Sequence, residues 1–245
     1  MGADVGIDLA LLWAAIILFS VMMYIVMDGF DLGIALLFPF FASKDDRDVM
    51  MNTVAPVWDG NETWLVFGGA GLLAAFPVAY AVVLSAFYLP LILMLIGLVF
   101  RGVAFEFRFK ASAATRGRWD LAFFGGSAVA TFFQGVTLGG FVAGVPVEDG
   151  RYAGAPFDWL NAFSVFTGLG LLATYALLGS TWLVMKTDGL LRLRMRLLAR
   201  SLAWVLLAFI GAISLWTPLA HERVAERWFS WPNVAWLLPV PLLVA

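Results

Sequence analysis

The sequence predicts an all-α protein, a polytopic bundle of transmembrane helices. Three observations predict it. Of 245 residues, 62% are apolar and only 13% are charged, whereas an ordinary soluble domain carries about 25% charged residues. Apolar runs long enough to cross a hydrocarbon core recur along the chain. The basic residues are confined to alternate junctions between those runs.

The first span runs from about Leu9 to Met27, and its helix continues to Leu37. Asp4 and Asp8 precede it without any Lys or Arg, so it lacks the basic leader of a signal peptide and reads as a retained span. Residues 64–100 contain no charge at all. A single straight helix of that length would extend about 55 Å, well beyond a core of about 30 Å, so the stretch is two spans. Pro77 marks the hairpin, which sets the second and third spans at about 62–76 and 79–100. The fourth span covers about 121–143, the fifth 160–185 and the sixth 201–219, and a seventh begins near Val234. Residues 1–245 form one transmembrane domain. The apolar run still open at Ala245 points to truncation at the C-terminus.

The basic residues orient this bundle. With the N-terminus outside, the inner loops hold Lys44, Arg47, Arg101, Arg108, Lys110, Arg116, Arg118, Lys186, Arg192, Arg194, Arg196 and Arg200, which is 12 of 15. The positive-inside rule prefers that topology. The run 186–200 is a loop or interfacial helix meeting lipid head groups. Trp159, Trp228, Trp231 and Trp236 then fall in outer loops and suit an interfacial belt.

Several function classes are excluded. A net charge of −2 gives no footprint for nucleic acid. With no Cys, there are no disulfides and no thiolate metal or iron–sulfur sites. His221 is the single His and lies in an outer loop, so these helices alone cannot supply bis-His or His/Met ligation of a haem. No phosphate-binding loop, zinc motif, catalytic triad or dinucleotide fingerprint is present.

The chemistry is concentrated in acids attached to the helices. A carboxylate within a span costs roughly 2.5–3.5 kcal/mol on insertion scales, so such residues face protein and mark ion or proton paths. Asp28 and Asp31 are three apart and share a helix face. Gly29 and Gly33, and again Gly135 and Gly139, form pairs that admit a close neighbouring helix. Two readings of Asp31 stand: a buried functional carboxylate, or a cap at the helix end near water. For the second span, Asp59 or Asn61 can serve as N-cap, while Asp59 and Glu62 are proton-path candidates together with Asp28 and Asp31. Glu106 and Lys110 are spaced for a surface pair. Arg101, the first charge after the long uncharged run, either snorkels to the interface or answers an acid, a lipid or a quinone head group. Trp58 and Trp64 flank the acids as interfacial anchors or groove walls.

These residues carry a resemblance. The matching segments are Asp28-Gly29-Phe30-Asp31-Leu32-Gly33, the run from Asn52 through Trp58-Asp59-Gly60-Asn61-Glu62-Thr63-Trp64 to Leu65, Ala74-Ala75-Phe76-Pro77, Phe100 to Arg108, and Gln134-Gly135 with Gly139-Gly140. Through them the chain resembles subunit II of cytochrome bd-type quinol oxidases, a family that includes the cyanide-insensitive oxidases. The likeness covers most of residues 8–185. It implies an eight-helix subunit with outside termini, paired with a haem-bearing subunit I that holds haem b and haem d, or b-type haem only, and the quinol site. Small single-span accessory subunits and membrane lipids are further partners that it suggests.

The implied reaction is quinol oxidation coupled to reduction of O2 to water, in a bacterial inner membrane. The resemblance implies that Asp59 and Asp31, with Asp28, line a cytoplasmic proton path. It implies that Arg101 and Trp58 lie near a quinone held as a structural molecule. The expectation is therefore a subunit without catalytic residues, cofactor or metal of its own, in which Asp59 collects protons and Asp31 and Asp28 pass them on. A proton-coupled secondary transporter is the alternative. Transporters of that kind show internal repeats and broken helices at the midplane, and no repeat is visible here.

Overall fold

The computed structural model describes residues 8–237, and within them the chain is almost wholly helical. In order these are α1 (Leu9–Leu37) with a short 3-10 turn after it (Phe38–Phe40), α2 (Lys44–Asn52), α3 (Trp58–Ala75), α4 (Pro77–Ala86), α5 (Tyr88–Arg108) and α6 (Ala113–Ala143). A two-residue hairpin follows, β1 (Val147–Glu148) and β2 (Arg151–Tyr152), with Val147 opposite Tyr152. Then come α7 (Ala162–Lys186), α8 (Gly189–Ala220), α9 (Glu222–Phe229) and α10 (Asn233–Leu237).

The span count is lower than the seven expected. Among the described residues, α1, α5, α6, α7 and α8 are long and apolar enough to cross a membrane. α3 has 18 residues, but its first turns carry Asp59, Asn61 and Glu62. The expected third span is two helices. Pro77 does start a new helix, as predicted, but that helix stops at Ala86 and α5 begins at Tyr88. Pro90 explains the break, because its ring lacks an N–H and crowds the carbonyl four residues earlier, that of Ala86. Most of the seventh span lies outside the described residues.

Helix ends follow simple capping chemistry. The Asp8 carboxylate accepts from the amides of Ala10 and Leu11 at the start of α1. The Ser43 hydroxyl accepts from Asp46 at α2, and the Asn161 side chain accepts from Ser164 at α7. The basic run after Lys186 forms the first turns of α8, with Arg192, Arg194, Arg196 and Arg200 all exposed. Trp231 and Trp236 are exposed as expected. Trp159 is not a belt residue, because it is buried against Phe133 and Phe157.

α1 changes character along its length. Its first half is exposed except for inward-facing positions such as Ser20 and Tyr24, whereas every residue from Asp28 to Leu37 is buried. α3, α6 and α7 pack around it. Glycines permit the close crossings. A Cβ on Gly33 would collide with the Tyr175 carbonyl, and one on Gly179 would collide with Gly33. Gly135 and Gly139 seat α7 against α6 in the same way, at Gly168 and Ser164. Without a hydrophobic drive between helices in lipid, close backbone contact of this kind supplies the cohesion. Below it lies an aromatic cluster in which Trp58 stacks on Phe105 at 4.9 Å, Phe105 meets Phe123 edge-on, and Phe30 stacks on Trp182 at 4.1 Å.

Candidate functional site

Beside this cluster, α1, α3 and α5 bring together an ionic group. Asp28 and Arg101 are completely buried, and the Arg101 Nη2 donates to Asp28 Oδ1 at 2.7 Å. The same nitrogen reaches Glu62 Oε2 at 3.2 Å, and the Glu62 side chain is 28% exposed. The Arg101 guanidinium carbon lies 5.4 Å from the centre of the Trp58 ring, within range of a cation–π contact. One turn along α1, the Asp31 Oδ2 accepts from the Asn61 side-chain amide at 2.8 Å, and that amide also approaches the Met27 carbonyl at 3.4 Å. Two carboxyls, Asp28 and Glu62, thus hold one guanidinium, and Asp31 lies three residues along α1 from the first of them. Asp28 Oδ2, Asp31 Oδ1, and Arg101 Nε and Nη1 are buried without a protein partner.

Five of the six residues singled out in the sequence meet here: Asp28, Asp31, Glu62, Arg101 and Trp58. Asp59 stays apart, exposed in the first turn of α3, and among the described residues it has no ion pair. Three expectations are corrected. Asp31 is not a cap near water: it is fully buried, six residues before the end of α1, bonded to Asn61. Neither Asp59 nor Asn61 caps α3, whose N-cap is Val57 without a side-chain bond, because Asn61 is turned inward to α1. Arg101 does not snorkel, because Asp28 lies close enough to hold it in the bundle.

Other residues were not anticipated. Tyr24 precedes Asp28 by one turn on the same buried face, and Gln134 joins Tyr24 to Tyr175 by hydrogen bonds of 2.6 and 2.9 Å. The i,i+4 spacing of Tyr24 and Asp28 was the available signal. Asp48 and Asp120 were also missed. They bind Arg108, which is buried to 1%, at the end of α5. Arg47 and Lys44 complete that group, bonding Asp120 at 2.8 Å and Asp48 at 2.5 Å. Burial opposes ionisation of Asp48, but its bonds from Lys44 and Arg108 outweigh this and hold its carboxyl below the usual range. Glu106 and Lys110 form the expected exposed pair at 3.6 Å. His221 is half-buried at the end of α8, its ring edge-on to Phe163 at 5.2 Å.

The sequence matches known proteins over almost its whole length. The "Probable cytochrome oxidase subunit 2" of Haemophilus influenzae is 37% identical over 212 residues, covering 83% of this chain and 56% of that protein. The "Cytochrome bd-I ubiquinol oxidase subunit 2" of Escherichia coli K12 is 38% identical over 200 residues, covering 79% of this chain and 53% of that protein. The "Cytochrome bd ubiquinol oxidase subunit 2" of Bacillus subtilis is 31% identical over 219 residues, covering 88% of this chain and 65% of that protein. The chain thus spans little more than half the length of the first two. The family described as cytochrome bd terminal oxidase subunit II matches residues 9–245, and the chain belongs to that family.

Proposed function

We propose that the chain is the haem-free subunit of a membrane complex that oxidises quinol and reduces O2 to water, and that it delivers protons to a haem-bearing partner. The printed names of the relatives favour this over a proton-coupled transporter. The donor set does not suit haem ligation within the bundle: there is no Cys, and the one His ends α8 against Phe163. The haems, of b and d type or b type alone, therefore belong to the partner, as does the quinol site. Single-span accessory subunits and lipids complete the assembly. The end of the bundle carrying α2 and the basic start of α8 faces the cytoplasm, which leaves the N-terminus outside a bacterial inner membrane.

The observation that carries the proton role is the graded exposure of the acids. Asp59 is exposed, Glu62 is one turn further along α3 and partly exposed, and Asp28 is sealed behind Arg101. Asp59 and Glu62 share a helix face at i,i+3. Glu62 is therefore the link that the acids needed: Asp59 gathers protons, Glu62 carries them inward, and Asp28 and Asp31 hold them beside Arg101 at the subunit core. Two carboxyls on one guanidinium, with Asp31 beside them on α1, are able to take up and pass on a proton without exposing a lone charge. A structural quinone head group belongs to the same reading at Trp58, behind whose ring the completely buried Arg101 lies at 5.4 Å. Asp59→Asn in the purified complex is expected to lower quinol-driven oxygen consumption several-fold at unchanged haem content. Full turnover with normal haem would overturn the proton role.

A further inference from the structure

One buried polar assembly is not absorbed by this route. Tyr24 on α1 and Tyr175 on α7 are 4% and 0% exposed, and Gln134 on α6 lies between them. Its amide nitrogen donates to the Tyr24 hydroxyl at 2.6 Å, and its amide oxygen accepts from the Tyr175 hydroxyl at 2.9 Å. A primary amide deep in a membrane bundle is costly, and Leu would fill the same space without that cost. Packing alone therefore does not account for it. The site is also shaped for Tyr175. A Cβ on Gly29 would lie 2.9 Å from its ring, and Gly33 is pressed against its carbonyl, so the two glycines that bracket Asp31 on α1 make the room it occupies.

The polarity of the set follows from chemistry. Tyr24 lies one helical turn before Asp28 on the same buried face of α1, and Asp28 Oδ2 has no other protein partner. A carboxylate can only accept, so it favours a Tyr24 proton pointed toward it. That leaves the phenol oxygen to accept from elsewhere, and the Gln134 amide N–H occupies that position. Tyr175, with no carboxylate of its own to serve, donates to the other end of the amide. Reversing the amide would turn the Tyr24 proton away from Asp28. We propose that Gln134 is a positioning residue for the acidic cluster: held by Tyr175, it turns the Tyr24 hydroxyl onto Asp28 and so keeps the Asp28–Arg101 pair in one arrangement. This rests on the proton route described above. The groups facing Asp28 are then Tyr24 and Asp31 of its own helix, Glu62 of α3, Arg101 of α5 and Tyr175 of α7, with Gln134 of α6 uncharged between the two phenols.

The test is quinol-driven oxygen consumption by the purified complex as a function of pH, with haem content measured on each sample. Gln134→Leu and Tyr24→Phe are expected to slow turnover roughly fivefold, the factor of one ordinary hydrogen bond, and to displace the pH at which turnover is half-maximal. Tyr175→Phe leaves the contact to Tyr24 intact and is expected to cost about twofold. Each change placed on Asp28→Asn is expected to add nothing to the residual rate. Tyr24→Phe and Tyr175→Phe each remove one oxygen atom and carry the test if Gln134→Leu fails to assemble. Wild-type turnover and pH profile in the two Phe variants, or losses that multiply with Asp28→Asn, would overturn the positioning role. Full turnover in Asp28→Asn would instead overturn the proton route beneath it.

Discussion

α5 carries two arginines seven residues apart, both sealed from solvent, and they have opposite surroundings. Arg108 bonds Asp48 on α2 and Asp120 on α6, and each of those acids is held by a second cation, Lys44 or Arg47. Three bases meet two acids, and the acids are 23% and 13% exposed. Arg101 meets two carboxyls, Asp28 and Glu62, with no second base, and Asp28 and its neighbour Asp31 are wholly buried. The first group is a clasp that fastens α2, α5 and α6 at the basic end. The second has more carboxyls than its single cation balances, and the proposed proton role rests on that surplus. Residue type and the burial of the arginine are alike in the two groups. The ratio of acids to bases, and the acids' access to solvent, separate the clasp from the proposed proton site.

The contrast is broken most severely at Arg101. Arg101→Leu strands Asp28 as an unpaired buried charge, a loss of about 3–5 kcal/mol. The expected outcome is failure of the complex to accumulate, read as missing haem in membranes. Adding Asp28→Leu removes the stranded charge and is expected to restore assembly without restoring oxygen consumption. If assembly returned together with full turnover, the Arg101 group would be a fastener like the other.

Arg108→Ala comes next. Its partners are partly hydrated, and Asp48 and Asp120 keep Lys44 and Arg47, so a loss of about 2 kcal/mol is expected, part of it from packing over Phe38. Thermal melting of the complex should fall and become less sensitive to salt, while turnover per haem is retained. Turnover lost at constant haem would give the clasp a functional role.

The smallest effect is a pH dependence at Asp48. Its folded carboxyl ionises below the usual range. Its contribution is therefore complete above the unfolded value, about 3.9, and is lost as pH falls through the lower folded value. Melting curves of the wild type and Asp48→Asn should differ by under about 1 kcal/mol at neutral pH and converge in acid. Divergence in acid would reverse the sign and remove Asp48 from the clasp.

Much of this was legible from residues alone. The Asp28–Asp31 spacing and the Gly29–Gly33 step are local patterns, and they lie on one continuous helix as expected, whereas the charge-free run holds three helices in place of two. The turn at Pro77 is legible in the sequence, but the break near Phe87 is not, because Pro90 sits within an otherwise uniform apolar run that carries no charge to mark it. The fate of Arg101 stays open in the sequence because its partner is 73 residues away. Asn61 was read as a cap because its alternative, a carboxylate on another helix, has no local signature.

The sequence by itself determined that the chain is a helical membrane bundle and which residues are too polar to face lipid. Periodicity, composition and the cost of charge in hydrocarbon act over a few residues and are visible in order along the chain. Only the tertiary structure decided which acid meets which base. α1, α3 and α5 place Asp28, Glu62 and Arg101 together, and α6 and α7 add Gln134 and Tyr175. The pairing depends on glycine-to-backbone crossings between distant segments, and no periodic pattern along one helix encodes the rotation and depth of its neighbour.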